Sequence, residues 1–322
     1  MSQIVRQSGL LGVIPVANGG TGAATPEGAS QNLSTAYVVS SLADIKALTT
    51  FGRAVINLCR STVYDRGGGQ WQFVQGDQSV SVAADPLSGI WAAPNSDPTG
   101  ATGAWRRDYS GPAEVLWFGA DYLGIADSWA ATQGAVDALE VLGANRIYFA
   151  PGNFRLSAPV VTSLSGISFG GAGALATILL FTNPTGNSFT FLGASGASIY
   201  GVGVEDLYIN HTGKLGGDAV SMTFVANSFV NRVIVGNAWN GFDCSNINNV
   251  TISNTSWAGM LGDQWGQFRA TGGADRSDVL TITDSTVSMV AGGGDGIVWD
   301  GFAHTLRMDR VGIIAAHYSV WV

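Results

Sequence analysis

The chain has 322 residues, of which 46% are apolar and only 12% charged, with 45 glycines and a formal charge of −8 at pH 7. The charged share is about half of what is usual, and the acidic balance excludes the basic footprint of a nucleic-acid binder. Cys59 and Cys244 stand far apart with no CxxC motif or His/Cys cluster, which excludes a structural zinc site and reads as two buried thiols; no metal or cofactor is expected.

The start, "MSQIVRQSGLLGVIPV", has neither the apolar core nor the cleavage site of a signal peptide. The longest apolar run, "ALATILLF", is too short to cross a bilayer. A soluble protein made in a cytoplasm is expected. Residues 1–36 contain "IPVANGGTGAATPEGASQNL", a Gly/Ala/Thr/Pro segment with little core-forming capacity, which reads as a linker or as an arm that folds only against a partner.

Residues 37–111 read as a small, mostly β module. "SLADIKALTTF" predicts a short helix capped by Ser41, with Leu42, Ile45 and Leu48 on one face. "RAVINLC", "GQWQFV", "GIWAAP" and "AWRRDYS" predict strands separated by glycine- and proline-rich turns.

At "VLWFGADYLGIADSWAATQGAVDAL" a short strand ending in Phe-Gly-Ala is followed by a turn and an amphipathic helix. Asp127 or Ser128 caps that helix and Gly143 ends it, with Trp129, Thr132, Val136 and Leu139 along one side. Beyond it a repeat emerges. Leu207, Val233, Val250, Leu280 and Leu306 align in one column; Ile209, Val235, Ile252, Ile282 and Met308 align in a second, two residues later. Alternate residues share a strand face, so both columns point inward. A second set, Val220, Phe242, Phe268 and Ile297, interleaves with the first. Each period therefore holds at least two short strands and no helix, the pattern of a solenoid, read as a parallel β-helix. The helix is the lid over its first coil, whose apolar cross-section and open edges need covering. The end, "IIAAHYSVWV", offers no such cap, so the natural chain is expected to continue past Val322.

These residues resemble a family. "VLWFGADYLGIADSWAATQGAVDAL" followed by "RIYFAPGNFRLSAPV" is similar to the opening of the pectate-lyase-like right-handed β-helices of bacteriophage tailspikes. "YDRGGGQWQFV" and "TGAWRRDYSGP" resemble the glycine-rich module that precedes many of them, and "IPVANGGTGAATPEGASQNL" resembles an element of tail fibres. The turn "YLGIADSW" lacks the acidic pair usual at that place. The resemblance implies an all-β chain: an arm (1–36), a connector (37–111) and a right-handed parallel β-helix (112–322). It further implies a homotrimer in the virion tail, made in the host bacterial cytoplasm. The arm would face the tail or baseplate, and the β-helix would meet host capsule or lipopolysaccharide. Many relatives cleave such glycans as hydrolases or lyases, and others only bind.

Glycoside hydrolysis needs two carboxyl groups roughly 5 to 10 Å apart. Asp243 and Asp300 are the candidate catalytic positions, although Asp243 aligns with Arg269 and Asp300 falls two coils away. Asp206 and Asp278 are three coils apart, and Asp295 sits in an Asp-Gly turn. For lyase chemistry, His211, Arg269 and His304 are available as bases without an acidic cluster. Trp239, Trp257 and Trp265, with Arg269, are the candidate carbohydrate contacts, the indoles stacking on sugar rings or else filling a trimer interface. Three functions remain open: a tailspike that recognises and depolymerises glycan, a binding-only tail subunit, or a free polysaccharide lyase or hydrolase. In the first, the active site falls beyond residue 322 if not on these coils.

Overall fold

The computed structural model describes residues 36–49, 54–143, 146–261, 268–271, 277–289, 297–300, 303–314 and 320–321.

The first sheet is built from β1 (Ala36–Val39), β2 (Ala54–Asn57), β3 (Gly69–Gln75), β4 (Trp91–Ala92) and β5 (Gly103–Asp108), in the order β1-β2-β3-β5-β4. Helix α1 (Leu42–Ala47) begins as expected: the Ser41 hydroxyl accepts from the Asp44 amide, and the Asp44 carboxylate accepts from the Ser41 amide at 2.8 Å. This capping box satisfies two orphan amides. Leu42 and Ile45 then pack with Val55, Trp71, Ala92 and Trp105 in a small core. A further helix, α2 (Ser79–Ala84), lies between β3 and β4, where no helix was expected.

Arg107 ties this sheet to the chain around Trp117, where the β-helix begins. Its buried guanidinium donates to the carbonyls of Gly89, Gly68 and Gly67 at 2.7, 2.8 and 3.0 Å and lies 4.5 and 4.8 Å from the Trp71 and Trp117 ring centroids. Gly69 is required for that approach, since a Cβ there would stand 2.1 Å from Arg107 Nη1. Arg60 adds bonds to the carbonyls of Trp117 and, at 2.5 Å, Leu87.

The remainder is a parallel β-helix, each coil adding one strand to each of three rows. The third row, seven strands, carries Val220, Phe242, Phe268 and Ile297 in register, as expected from the sequence. The first two rows form one 15-stranded sheet because the strand Ser277–Met289 runs through both. Here the expected columns are corrected. Leu207/Ile209 and Val233/Val235 belong to the second row, whereas Val250/Ile252, Leu280/Ile282 and Leu306/Met308 belong to the first. Their inward parity holds except at Met308, which is exposed.

Helix α3 (Trp129–Leu142) seats Ala131, Ala135, Val136, Ala138 and Leu139 in the same core as Phe149 and Phe154. It is the lid over the first coil. Ser128 stands at its N-cap, but the first-turn amide of Trp129 is held by the Asp127 carboxylate, and Gly143 ends the helix in the left-handed region. Val115–Phe118, read as a strand, is a 3-10 turn closed by Gly119 at φ 101°. "YLGIADSW", read as a turn, holds a short strand, Leu123–Asp127, paired with Gly152–Leu156, and Asp121 just before it accepts from the amides of Leu123, Ile125 and Ala126.

Candidate functional site

Between the first and second rows the backbone bends through one residue per coil. Asp206, Arg232, Asn254, Asp284 and Arg310 occupy this position, all with φ between 49° and 58°. A single left-handed residue turns the chain sharply without ending the ladder on either side. Stacking of the coils therefore sets these five side chains in one file along the outside, although they are 26, 22, 30 and 26 residues apart in sequence.

The file holds an acid–arginine pair on each side of the neutral Asn254. Arg232 donates to both Asp206 oxygens, Nε to Oδ1 at 2.5 Å and Nη2 to Oδ2 at 2.7 Å, and reaches Glu205 at 3.1 Å; Glu205 also pairs with Arg146 at 2.7 Å. Arg310 repeats the arrangement, gripping Asp284 through Nε and, at 2.8 Å, Nη2, with Asp309 at 2.5 Å from Nη1. Hydrogen bonding to Asp206 holds the Arg232 proton more firmly than usual, and hydrogen bonding to Arg310 holds Asp284 below the ordinary carboxylate range.

Between the two clusters runs an open groove of about 540 Å³, lined by Asp206, Arg232, Ile234, Asn254, Ser256, Asp284 and Thr286 among others. It offers fixed hydroxyls, an amide and paired charges on a rigid floor. That suits a hydroxyl-rich ligand spread over several coils. It does not suit acid–base cleavage by its own acids: Asp206 and Asp284 are three coils apart, about 14 Å at the usual strand spacing, beyond the span of a glycosidase pair.

The expected site residues fall elsewhere. Asp243 lies half-buried in the third row, with Ser221 and Arg269 as its register neighbours. Asp300 is on the same row, in register with Thr271, so its backbone is about 12 Å from that of Asp243. The side chains of Arg269 and Asp300 lie outside the described residues, as do Trp265 and the His304 side chain. Trp239 is half-buried in the turn between Ile234–Gly236 and Asn240–Ser245. Trp257 requires a correction: its ring is fully buried in the β-helix core, with Nε1 donating to Thr255 Oγ1 at 2.6 Å, and no face is open to a sugar.

His211 is likewise internal. Its Nε2 lies 2.6 Å from Ser188 Oγ and its Nδ1 3.1 Å from the Gly236 carbonyl, while the ring stacks on Phe181. The carbonyl can only accept, so Nδ1 carries the proton and Nε2 accepts from the serine. Burial pushes its pKa down to about 4. Lys214, also buried, donates to the Gly186 carbonyl at 2.6 Å, and burial pushes its pKa down to about 8. Both groups brace the turns between rows.

Sequence reasoning reads Asn254, Asp284 and Arg310, each two residues after its column, as a recurring turn, and misses Asp206 and Arg232 as members of the same file. The usable signal was a polar residue immediately before Leu207 and Val233 and immediately after Ser253 and Thr283.

No family model matches the chain, and no curated protein matches its sequence. Among solved structures, the fold is similar to that of the gp42 tailspike of Acinetobacter phage vb_AbaP_AS12, at 14% identity and a TM-score of 0.56 over 87% of this chain and 49% of that one. It is also similar to tailspike protein 2 of bacteriophage CBA120 (12%, TM-score 0.47, 91% and 53% covered) and to PfbA, a surface adhesin of Streptococcus pneumoniae (15%, 0.49, 62% and 57%). The chain spans about half the length of these tailspikes. What it shares with the Acinetobacter phage tailspike is the fold.

Proposed function

We propose that this chain is a phage tailspike or tail fibre subunit whose β-helix recognises host surface polysaccharide. The observation that carries the reading is the polar groove on the bend, a rigid multi-coil surface of amide, hydroxyl and paired charge. The fold shared with the Acinetobacter phage tailspike supports it. In this reading residues 1–36 face the virion, residues 37–111 connect, and residues 112–322 carry the glycan surface in a homotrimer. Sedimentation at micromolar concentration is expected to give three copies.

One feature of the groove favours binding over cleavage: Asp206 and Asp284 are both committed to arginines. Depolymerisation, where it occurs, then uses other carboxylates, Asp243 and Asp300 being the first to replace.

The test is to incubate the chain with purified capsule and lipopolysaccharide from a panel of bacteria, reading binding, new reducing ends and absorbance at 235 nm. Binding weakened about threefold to tenfold by Asn254→Ala, the loss of a hydrogen bond or two, supports the groove. Reducing ends alone identify a hydrolase, and added absorbance a lyase. No binding to any host glycan overturns the proposal.

A further inference from the structure

A second cleft, of about 310 Å³, lies where the first sheet meets the C-terminal end of helix α3. Its floor is Ile90, its far wall Val141 and Leu142, and its near wall the cross-strand pair Trp91 and Arg106 with Tyr109 beside them. The wall is fixed. Asp85 holds the Trp91 amide at 2.8 Å, the Tyr109 ring stands edge-on to Trp117 at 4.9 Å, and the Arg106 guanidinium is 5.9 Å from the Trp91 ring centroid.

The polar ends of these side chains are unused. Among the described residues, neither the Trp91 indole N–H, the Tyr109 hydroxyl nor the Arg106 guanidinium has a hydrogen-bond or ion-pair partner. An apolar floor with a few convergent polar groups is the usual make-up of a small-molecule site, and this volume is at the lower end of the range of about 300–1,000 Å³, room for one sugar ring. The groups on offer are donors beside an apolar floor. Their complement is a ring with an apolar C–H face, hydroxyls and a carboxylate, since the planar guanidinium pairs with a carboxylate through two parallel bonds.

We infer that this cleft binds a single carboxylated pyranose, a uronic-acid residue, with Arg106 on its carboxylate, Tyr109 and the Trp91 indole N–H on hydroxyls, and Ile90, Val141 and Leu142 against its C–H face. The cleft is separate from the groove, and either site can fail without the other.

The experiment is saturation-transfer NMR with methyl glucuronide and methyl glucoside on the full chain and its variants. The expected result is millimolar binding of the glucuronide, with the glucoside at least tenfold weaker. Arg106→Gln abolishes that preference, Tyr109→Phe weakens the glucuronide severalfold, and Asn254→Ala in the groove changes nothing. Arg106 is exposed, so its variant is expected to keep the parental melting temperature. No transfer to the glucuronide at about 20 mM, weaker than any useful subsite, overturns the inference. So does a preference that survives Arg106→Gln, and so does a signal lost in Asn254→Ala alone, which moves the sugar to the groove.

Discussion

Arg232 grips Asp206 through two hydrogen bonds, at 2.5 and 2.7 Å, from a backbone turned to φ 52°. The same residue thus carries an ion pair and a conformation that costs an ordinary side chain about 1–2 kcal/mol. The two effects separate by substitution. Arg232 is half-exposed, so its pair contributes about 1 kcal/mol at most. Arg232→Ala loses the pair and keeps the strain; Arg232→Gly loses both. Urea unfolding is expected to show the alanine variant about 1 kcal/mol less stable than the parent and the glycine variant close to it. Molar salt should shrink the parent's advantage over alanine and leave the glycine–alanine gap intact.

Gly217 tests close approach between coils. Its φ is 83°, and an added Cβ would stand 2.0 Å from the Gly186 carbonyl oxygen, an atom already bonded to Lys214. Gly196 has a similar φ of 74° with open space around it. Gly196→Ala should therefore cost only the left-handed penalty, about 1 kcal/mol, while Gly217→Ala should cost about 3 kcal/mol because backbone must also move. Equal melting temperatures for the two variants would show that the turn at Gly217 yields freely.

Much of this fold was legible because strand alternation survives in the sequence. Val220, Phe242, Phe268 and Ile297 read correctly since each begins the apolar alternation of its own third-row strand. The first two rows were merged for a physical reason. A left-handed bend does not interrupt the apolar alternation on either side, so Leu207–Ile209, after its bend at Asp206, looks like Val250–Ile252, before its bend at Asn254. Trp257 was misread for the same cause: the polar run Ser253–Asn254–Thr255 is the bend itself, and the indole after it turns inward. The Arg232–Asp206 pair needs the coil length, which varies from 22 to 30 residues along the bend file. The cleft at Trp91 needs the docking of α3 on the first sheet, which no local pattern carries.

Trp257 can be tested as a core residue. Its ring is wholly enclosed and its N–H is bonded to Thr255, which in turn donates to Ser285 Oγ at 2.9 Å. Trp257→Ala is expected to cost about 3–5 kcal/mol, the range for an emptied aromatic site. Calorimetry should show the fall in melting temperature. Glycan affinity, measured per folded molecule below the transition, should be unchanged; a selective loss of affinity would return the indole to the binding surface.

The buried imidazole of His211 makes stability depend on pH in a defined direction. Its pKa is pushed down from 6.5 to about 4, chiefly by burial, with the nearby Lys214 ammonium adding a like charge. In the unfolded chain the ring takes a proton as pH falls through about 6.5; in the folded chain it stays neutral until about 4. The unfolded state therefore binds more protons in this window, and stability is complete above it and declines as pH drops from 6.5 towards 4. A shift of this size corresponds to about 3 kcal/mol. Protonated Nε2 can only donate, so the bond at 2.6 Å must reverse at the same step, with the Ser188 hydroxyl turning to accept. Urea unfolding of the parent at pH 7 and pH 4.5 should show most of that loss, whereas His211→Gln, less stable throughout, should be nearly flat because nothing at position 211 titrates. Parallel slopes for the two proteins would assign the acid sensitivity to carboxylates and leave the imidazole without a part in it.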